Sequence, residues 1–345
     1  MNTQSNQVLV TGASGFIASH CIIQLLKKGY VVRGTVRSLD RSASVREVIG
    51  KHVNVDNLAF VECDLSIDAG WDAAMQDCTF VLHVASPIPR SAPKDQNELI
   101  EPATQGALRA LKAADLAGVK RFVMTASTAS IAYGYGNTGK VFTEEDWSDP
   151  DGADNSAYTR SKTIAEKAAW NYVESSKTVM EFCTINPGAV LGPILESDYG
   201  TSAEIVLKLL TGDFPGIPAL GYPLIDVRDV ADLHIRAMES ESSKNERFLC
   251  ANEFMWMGEV AEILRETHPE YAKKLPKTKL PNWAVRLASL FDPVTRSVVF
   301  ELGIIRNVDS SKAKNLLGWQ PRSNREAIVA TADTLIALGL VSQTT

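Results

Sequence analysis

Short apolar runs rich in β-branched residues recur along the first 185 positions, and the stretches between them carry apolar residues at helical spacing. The runs at 7–11, 30–36, 58–63, 80–85, 121–126 and 181–185 read as strands. The segments 17–28, 99–117 and 157–174 read as helices, with a weaker helix near 44–48. These strands are apolar along most of their length rather than at alternate residues, the pattern of a parallel sheet covered by helices on both faces. A doubly wound α/β sheet is therefore predicted. In such sheets ligands bind at the carboxyl ends of the strands.

Beyond position 186 the rhythm changes. A helix is predicted over 200–212, a proline- and glycine-rich loop over 214–223, and a short strand running into a helix capped at Asp229 over 224–238. One more strand is read at 246–252, and from 255 the chain is mostly helical, broken by prolines at 276, 281 and 293. The sheet domain is expected to take 1–186 and about 223–252. A smaller, mostly helical substrate domain takes 187–222 and 253–345, so the two are interleaved.

Composition adds limits. With 345 residues, 45% hydrophobic and 22% charged, the chain has ample core to enclose a cofactor. A net charge of −6 and the lack of a basic stripe with interleaved aromatics argue against a nucleic-acid partner. No basic segment leads into an apolar run at the start, and no window approaches ~18 apolar residues, so a cytoplasmic protein without a membrane partner is expected. Cys21, Cys63, Cys78, Cys183 and Cys250 are odd in number, form no C-x-x-C pair and sit mostly in apolar runs. Buried, reduced thiols are predicted. His20, His52 and His268 show no metal-ligand spacing, and no metal site is expected.

Directly after the first strand stands "TGASGFIASH", with Gly12, Gly15 and Ala18 in a G-x-x-G-x-x-A pattern that opens a helix. Gly12 permits a tight turn, and Gly15 lets backbone approach a pyrophosphate at the helix N-terminus. Ser14, Phe16 and Ile17 complete the cradle. This is a Rossmann dinucleotide turn. The second strand ends "GTVRSLDRS", placing Arg37 where an NAD site carries an acid. Arg37, with Ser38 and Arg41, suits a 2′-phosphate because guanidinium forks match phosphate oxygens. NADP(H) is favoured over NAD(H). Asp64 and Leu65, just past the third strand, are placed at the adenine.

The fifth strand runs into "TASTAS", where Ser127 or Thr128 is placed to hydrogen-bond a substrate carbonyl. In "NSAYTRSKTIAEKAAW", Tyr158 and Lys162 lie one turn apart on one helix face. The order is therefore glycine turn, serine, then tyrosine and lysine. With "VTGASGFIASH", "RGTVRS", "VLHVASP", "VMTASTAS", "YTRSK", "NPGAVLGP", "DVRDVA" and "VDSSKAKNLLGWQP", the chain resembles the extended short-chain dehydrogenase/reductase family along nearly its whole length. Within it, the likeness is to the group of dihydroflavonol reductase, cinnamoyl-CoA reductase and microbial aldehyde or ketone reductases.

The resemblance implies that Tyr158 donates a proton to a carbonyl oxygen while NADPH delivers hydride. Bringing a phenol from pKa ~10 to near neutrality takes about 4 kcal/mol. One ammonium at ~4 Å with an effective dielectric of ~20 supplies about that much, so Lys162 is expected to acidify Tyr158. It also implies that Lys162 bonds the nicotinamide ribose and that Ser127 orients the carbonyl, with Thr128 and Ser130 as fallbacks. Val84, Ala85 and Ser86 would pass beside the cofactor ribose, with His83 structural. Pro187 and Gly188 would lie along the nicotinamide, with Leu191 near its carboxamide.

Substrate contacts are expected from Ile88, Pro89, Ile131, Tyr133, Leu191, Phe214 and Tyr222, an apolar and aromatic set that suits aldehydes and ketones. His234 reads as a buried helix residue, and the acidic stretch 143–154 as a solvated loop. The expected function is an NADPH-dependent reductase of small carbonyl substrates, monomeric or homodimeric. The alternatives are a dihydroflavonol or steroid-type dehydrogenase, an NAD-dependent nucleotide-sugar epimerase or dehydratase, and a non-catalytic dinucleotide-sensing regulator.

Overall fold

The computed structural model describes residues 7–87, 95–197 and 200–341. Its centre is a parallel sheet of β1 (Gln7–Val10), β2 (Val31–Val36), β3 (Leu58–Glu62), β4 (Phe80–His83), β5 (Arg121–Thr125), β7 (Glu181–Pro187) and β10 (Arg247–Cys250). A short strand β6 (Val141–Phe142) lies outside this sheet. The spatial order is β10-β7-β5-β4-β1-β2-β3, so the winding reverses between β1 and β4. The predicted doubly wound sheet is present. Val8 stands opposite both Val32 of β2 and Phe80 of β4, which aligns the carboxyl ends of the central strands at one edge.

Successive strand residues point to opposite faces. Val8, Val10, Leu82 and Val123 pack in one core, which includes residues of α1 (Phe16–Lys27), α2 (Ser42–Gly50) and α7 (Val227–Glu239). Leu9, Val81, Phe122 and Phe182 pack in the other, which includes residues of α3 (Trp71–Met75), α4 (Asn97–Leu116) and α5 (Ala157–Ser176). The five-residue α3 has too few residues for its periodicity to be visible in the sequence.

The second lobe has a core of its own under the three-stranded sheet of β8 (Ala189–Leu191), β9 (Gly221–Asp226) and β11 (Phe254–Trp256). Leu191, Val206, Leu210, Leu264 and Leu335 fill it from β8, α6 (Ala203–Thr211), α8 (Met257–Thr267) and α12 (Asn324–Ala337). Two short helices, α9 (Asn282–Ala288) and α10 (Pro293–Val298), lead to β12 (Asn307–Val308), which pairs with β6. The stretch around α11 (Ser311–Leu317), expected in the second lobe, joins the first core instead through Ala313, Leu317 and Trp319.

Three local expectations are corrected. β9 begins at Gly221, inside the predicted loop. The cap of α7 is Asp226, not Asp229: Asp226 has extended backbone and accepts from the Arg228 N–H at 2.8 Å. Asp229 lies inside the first turn, and its side chain instead takes the Arg322 N–H at 2.7 Å and the Arg322 guanidinium. Nor is the acidic stretch 143–154 simply solvated. Glu144, Ser148 and Asp154 are buried, because Arg247 and Arg306 reach into the stretch from elsewhere in the chain. All five cysteines are buried and unpaired, as read. Among the described residues, no helix is long and apolar enough to cross a membrane.

Candidate active site

The turn after β1 is built as the glycine pattern requires. Gly12 has φ +70°, and a Cβ there would stand 3.0 Å from that of Ala85. Only glycine combines that backbone with that approach at little cost. Thr35 of β2 holds the turn, taking the Gly12 N–H on its hydroxyl at 2.9 Å and the Ala13 N–H on its carbonyl at 2.8 Å. The helix α1 that follows is capped by Gly15, whose lack of a side chain leaves the first-turn N–H groups, those of Phe16 and Ile17 among them, without a side-chain acceptor. Such a terminus is an anion site.

Thr11 joins this turn to the next loop. Its hydroxyl accepts from the N–H groups of Val84 and Ala85 at 3.0 and 2.9 Å and meets His83 Nδ1 at 3.1 Å. Sequence reading passed over Thr11, although a threonine before the glycine turn was in plain view. His83 is buried, and burial lowers its pKa to about 3, so it is a neutral structural imidazole, as expected. His234 is likewise buried, on Thr125 Oγ1 at 2.7 Å.

At the end of β2, Arg37 is exposed and near enough to Asp64 to help lower that carboxyl's pKa. Ser38 donates to Asp40 Oδ2 at 3.1 Å, and Arg41 lies 3.8 Å from Glu196. Arg37 is thus the guanidinium of this corner with no ion pair among the described residues. Asp64 Oδ1 takes the Ser66 N–H at 2.7 Å and its hydroxyl at 2.6 Å, so part of its acceptor capacity serves a turn. Leu65 packs against Gly106 of α4. A Cβ at Gly188 would collide with the Pro223 carbonyl, so β7 can pass into the second lobe there only as glycine. The donors and close approaches present at this edge suit a dinucleotide.

Ser127 follows β5 with extended backbone and starts a single 3-10 turn over Thr128–Ser130. Tyr158 lies in the first turn of α5, set by a capping box between Ser156 and Thr159. Lys162 is one turn further, its ammonium 5.7 Å from the centre of the Tyr158 ring. The Ser127 side chain lies close enough to the Tyr158 hydroxyl to pull its pKa down. The three predicted catalytic residues therefore meet at the carboxyl edge of the sheet. Of the fallbacks, Ser130 is wholly buried and donates to the Ser127 carbonyl at 2.7 Å and to Glu166, and Thr128 stands beside Ser127 in the same turn.

The expected acidification of the phenol is not found. Tyr158 leaves 36% of its surface open to the cleft, yet burial of the rest is the largest influence and raises its pKa above 10. Ser127 pulls it down and Glu301 pushes it up. Lys162 is itself lowered from the ordinary 10.5 to about 8 by burial, against the opposing pull of Glu166. The surface coordinates of a four-residue spacing cannot carry this, because both shifts come from the packed surroundings.

Below the site is a buried network the sequence did not reveal. Glu166, one turn past Lys162, accepts from Thr184 Oγ1 at 3.1 Å, Asn186 Nδ2 at 2.8 Å and Arg247 Nε at 2.7 Å. Asn186 also donates to the Ser127 carbonyl at 3.3 Å, so β7, β10 and α5 together fix the serine's backbone.

Of the predicted substrate residues, Leu191 and Tyr222 line one small apolar cleft with Ile205, Met255 and Val260. Phe214 packs half-buried on the second core. Ile131 is wholly enclosed by Ala129, Tyr133, Phe142 and Leu249 and has no surface to offer a ligand, a correction. Ile88 and Pro89 lie outside the described residues. Tyr133 is not part of an apolar wall: its hydroxyl donates to Glu301 Oε2 at 3.3 Å, and its ring lies 3.8 Å from the Arg306 guanidinium.

Residues 8–251 match the sequence profile of the NAD dependent epimerase/dehydratase family. Cinnamoyl-CoA reductase CAD2 of Medicago truncatula is 36% identical over 269 residues, covering 76% of this chain and 81% of that protein. Anthocyanidin reductase of Vitis vinifera is 31% identical over 327 residues, covering 89% and 96%. Among solved structures, the yeast methylglyoxal/isovaleraldehyde reductase Gre2, complexed with NADPH, superposes with a TM-score of 0.81 at 29% identity, covering 96% of this chain and 99% of that one.

Proposed function

The chain belongs to the NAD dependent epimerase/dehydratase family, and we propose that it is an NADPH-dependent reductase of aldehydes and ketones in which Tyr158 is the proton donor. The observation that carries this reading is the placing of Ser127 and Lys162 beside Tyr158, at the same sheet edge as the glycine turn. The likeness to the yeast reductase with NADPH supports it.

When bound, the reduced dinucleotide supplies hydride to the carbonyl carbon. The chain's own residues manage the proton. A phenol whose pKa stands above 10 is fully protonated at neutral pH, and an alkoxide is a much stronger base than a phenolate, so transfer from Tyr158 runs downhill without prior acidification. Ser127 accepts or donates at the same oxygen and shares the charge that develops there. Lys162, cationic below about pH 8, steadies the phenolate that remains. The phosphates would rest on the N–H groups of α1, and Arg37 would meet the 2′-phosphate, which favours NADP(H). An epimerase reading lacks an acid at that position.

The test is oxidation of NADPH, followed at 340 nm, with a panel of aryl aldehydes, aliphatic aldehydes and α-keto esters. Tyr158→Phe should lose at least ~100-fold in kcat while holding NADPH affinity within about threefold. A Phe variant that turns over at the parent rate rejects the acid assignment. Tight dinucleotide binding with no turnover of any carbonyl rejects the reductase reading.

A further inference from the structure

The C-terminal chain carries a carboxyl group into the site from far along the sequence. Glu301 ends a single 3-10 turn, Val299–Glu301, on the segment that crosses between the lobes. Phe300 before it packs on the cluster of Ile131 and Tyr133, and Leu302 after it enters the second core. The Glu301 side chain is thereby pinned at the seam, 7% exposed. Its Oε2 takes the Tyr133 hydroxyl at 3.3 Å and Arg306 Nη1 at 3.1 Å. Both bonds end on that one oxygen, and Oε1 has no partner among the described residues. Arg306 is held independently, by Asp154 Oδ2 at 2.9 Å and by the Tyr133 ring.

Here one oxygen of a buried carboxyl is left over. Tyr133 is bonded to the carboxyl, and the phenols of Tyr158 and of Tyr222, which lines the apolar cleft, lie within its electrostatic reach. Burial raises its pKa to about 7 against the lowering pull of Arg306 and Tyr133, the behaviour of an acid short of donors.

We propose that Glu301 is the polar anchor of the substrate pocket, its Oε1 accepting a hydrogen bond from a hydroxyl on the body of the carbonyl substrate. This rests on the reductase reading above. The preferred substrates are then hydroxyl-bearing aldehydes or ketones, not hydrocarbon ones of the same size. A hydrogen bond to such a group is worth roughly a 10- to 100-fold preference.

The experiment compares kcat/KM for hydroxy- and methyl-substituted aryl aldehydes, with the substituent moved around the ring, in the parent protein and in Glu301→Gln. In the variant the amide oxygen answers Arg306 and Tyr133, which turns an NH2 toward the substrate. The parent should prefer the hydroxy compound at one ring position by at least ~10-fold, mostly through KM, and the variant's ratio should fall about tenfold. NADPH binding, measured by fluorescence, verifies that the variant is folded. If it is not, the parent's own ratio still decides. A parent ratio near one at every ring position, or an unchanged ratio in a folded Glu301→Gln, overturns the anchor. A parent that binds NADPH and reduces neither series overturns the reductase reading instead.

Discussion

Replacing Lys162 with arginine separates the two titrating groups of the site. Burial lowers Lys162 from 10.5 to about 8, a drop that corresponds to about 3 kcal/mol against its charged form. Glu166 on the same helix opposes that drop, His83 from β4 is neutral, and Tyr158 is raised above 10. Of these groups, only Lys162 changes charge about pH 8, and Glu301, raised to about 7, ionises a pH unit lower and is the same in both proteins. About nine-tenths of the lysine is charged at pH 7 and about one-tenth at pH 9. The kcat/KM for NADPH, which reports the free protein, should therefore fall about tenfold over that interval. Arginine stays cationic past pH ~12 and should remove the decline, though its fork is a poorer fit and the plateau should be lower. The assay is initial-rate NADPH oxidation at saturating carbonyl, from pH 6 to 10, for both proteins. An inflection near 8 that persists unchanged in the arginine variant would refute the assignment.

Two further outcomes are expected. Arg37→Ala should raise the Kd for NADPH roughly 10- to 100-fold, the worth of a charge-assisted bond, and move that for NADH less than threefold; equal losses for both would show that Arg37 does not read the 2′-phosphate. His20 and His234 are lowered by burial to about 4 and His83 to about 3, so all three are neutral in the fold and stability present above pH ~6.5 is lost as pH falls. At pH 5 the loss is about 5 kcal/mol. Glu301, raised to about 7, works in the opposite direction, as do Glu144 and Asp229, both raised by burial, and the net loss is smaller than the histidines alone would give. Urea midpoints at pH 7 and 5 check this, and equal or greater stability at pH 5 would contradict it.

What could be read before folding was what depends on neighbours in the chain. The glycine turn, the strands of the sheet and the Tyr158–Lys162 pair are local patterns, and the structure holds each of them. Ser127 could be separated from Thr128 and Ser130 only by a contact from α5, since all three stand in one turn and only one meets Tyr158. Asp226 and Asp229 look alike as helix caps until the backbone at 226 is seen to be extended. The acidity of Tyr158 was misread for a deeper reason. A Coulomb term needs only a spacing, whereas desolvation needs the whole packed surrounding, and at both Tyr158 and Lys162 desolvation is the larger. Glu301 was invisible on the same ground: Tyr133 comes to it from a distant segment, and Asp154, equally distant, holds the Arg306 that pairs with it, so nothing near position 301 marks a site. The glycine turn and the Tyr158–Lys162 pair are therefore encoded locally, whereas the surroundings of Glu301 and the choice of Ser127 are set by long-range contact, so relatives with the same motifs can differ around them.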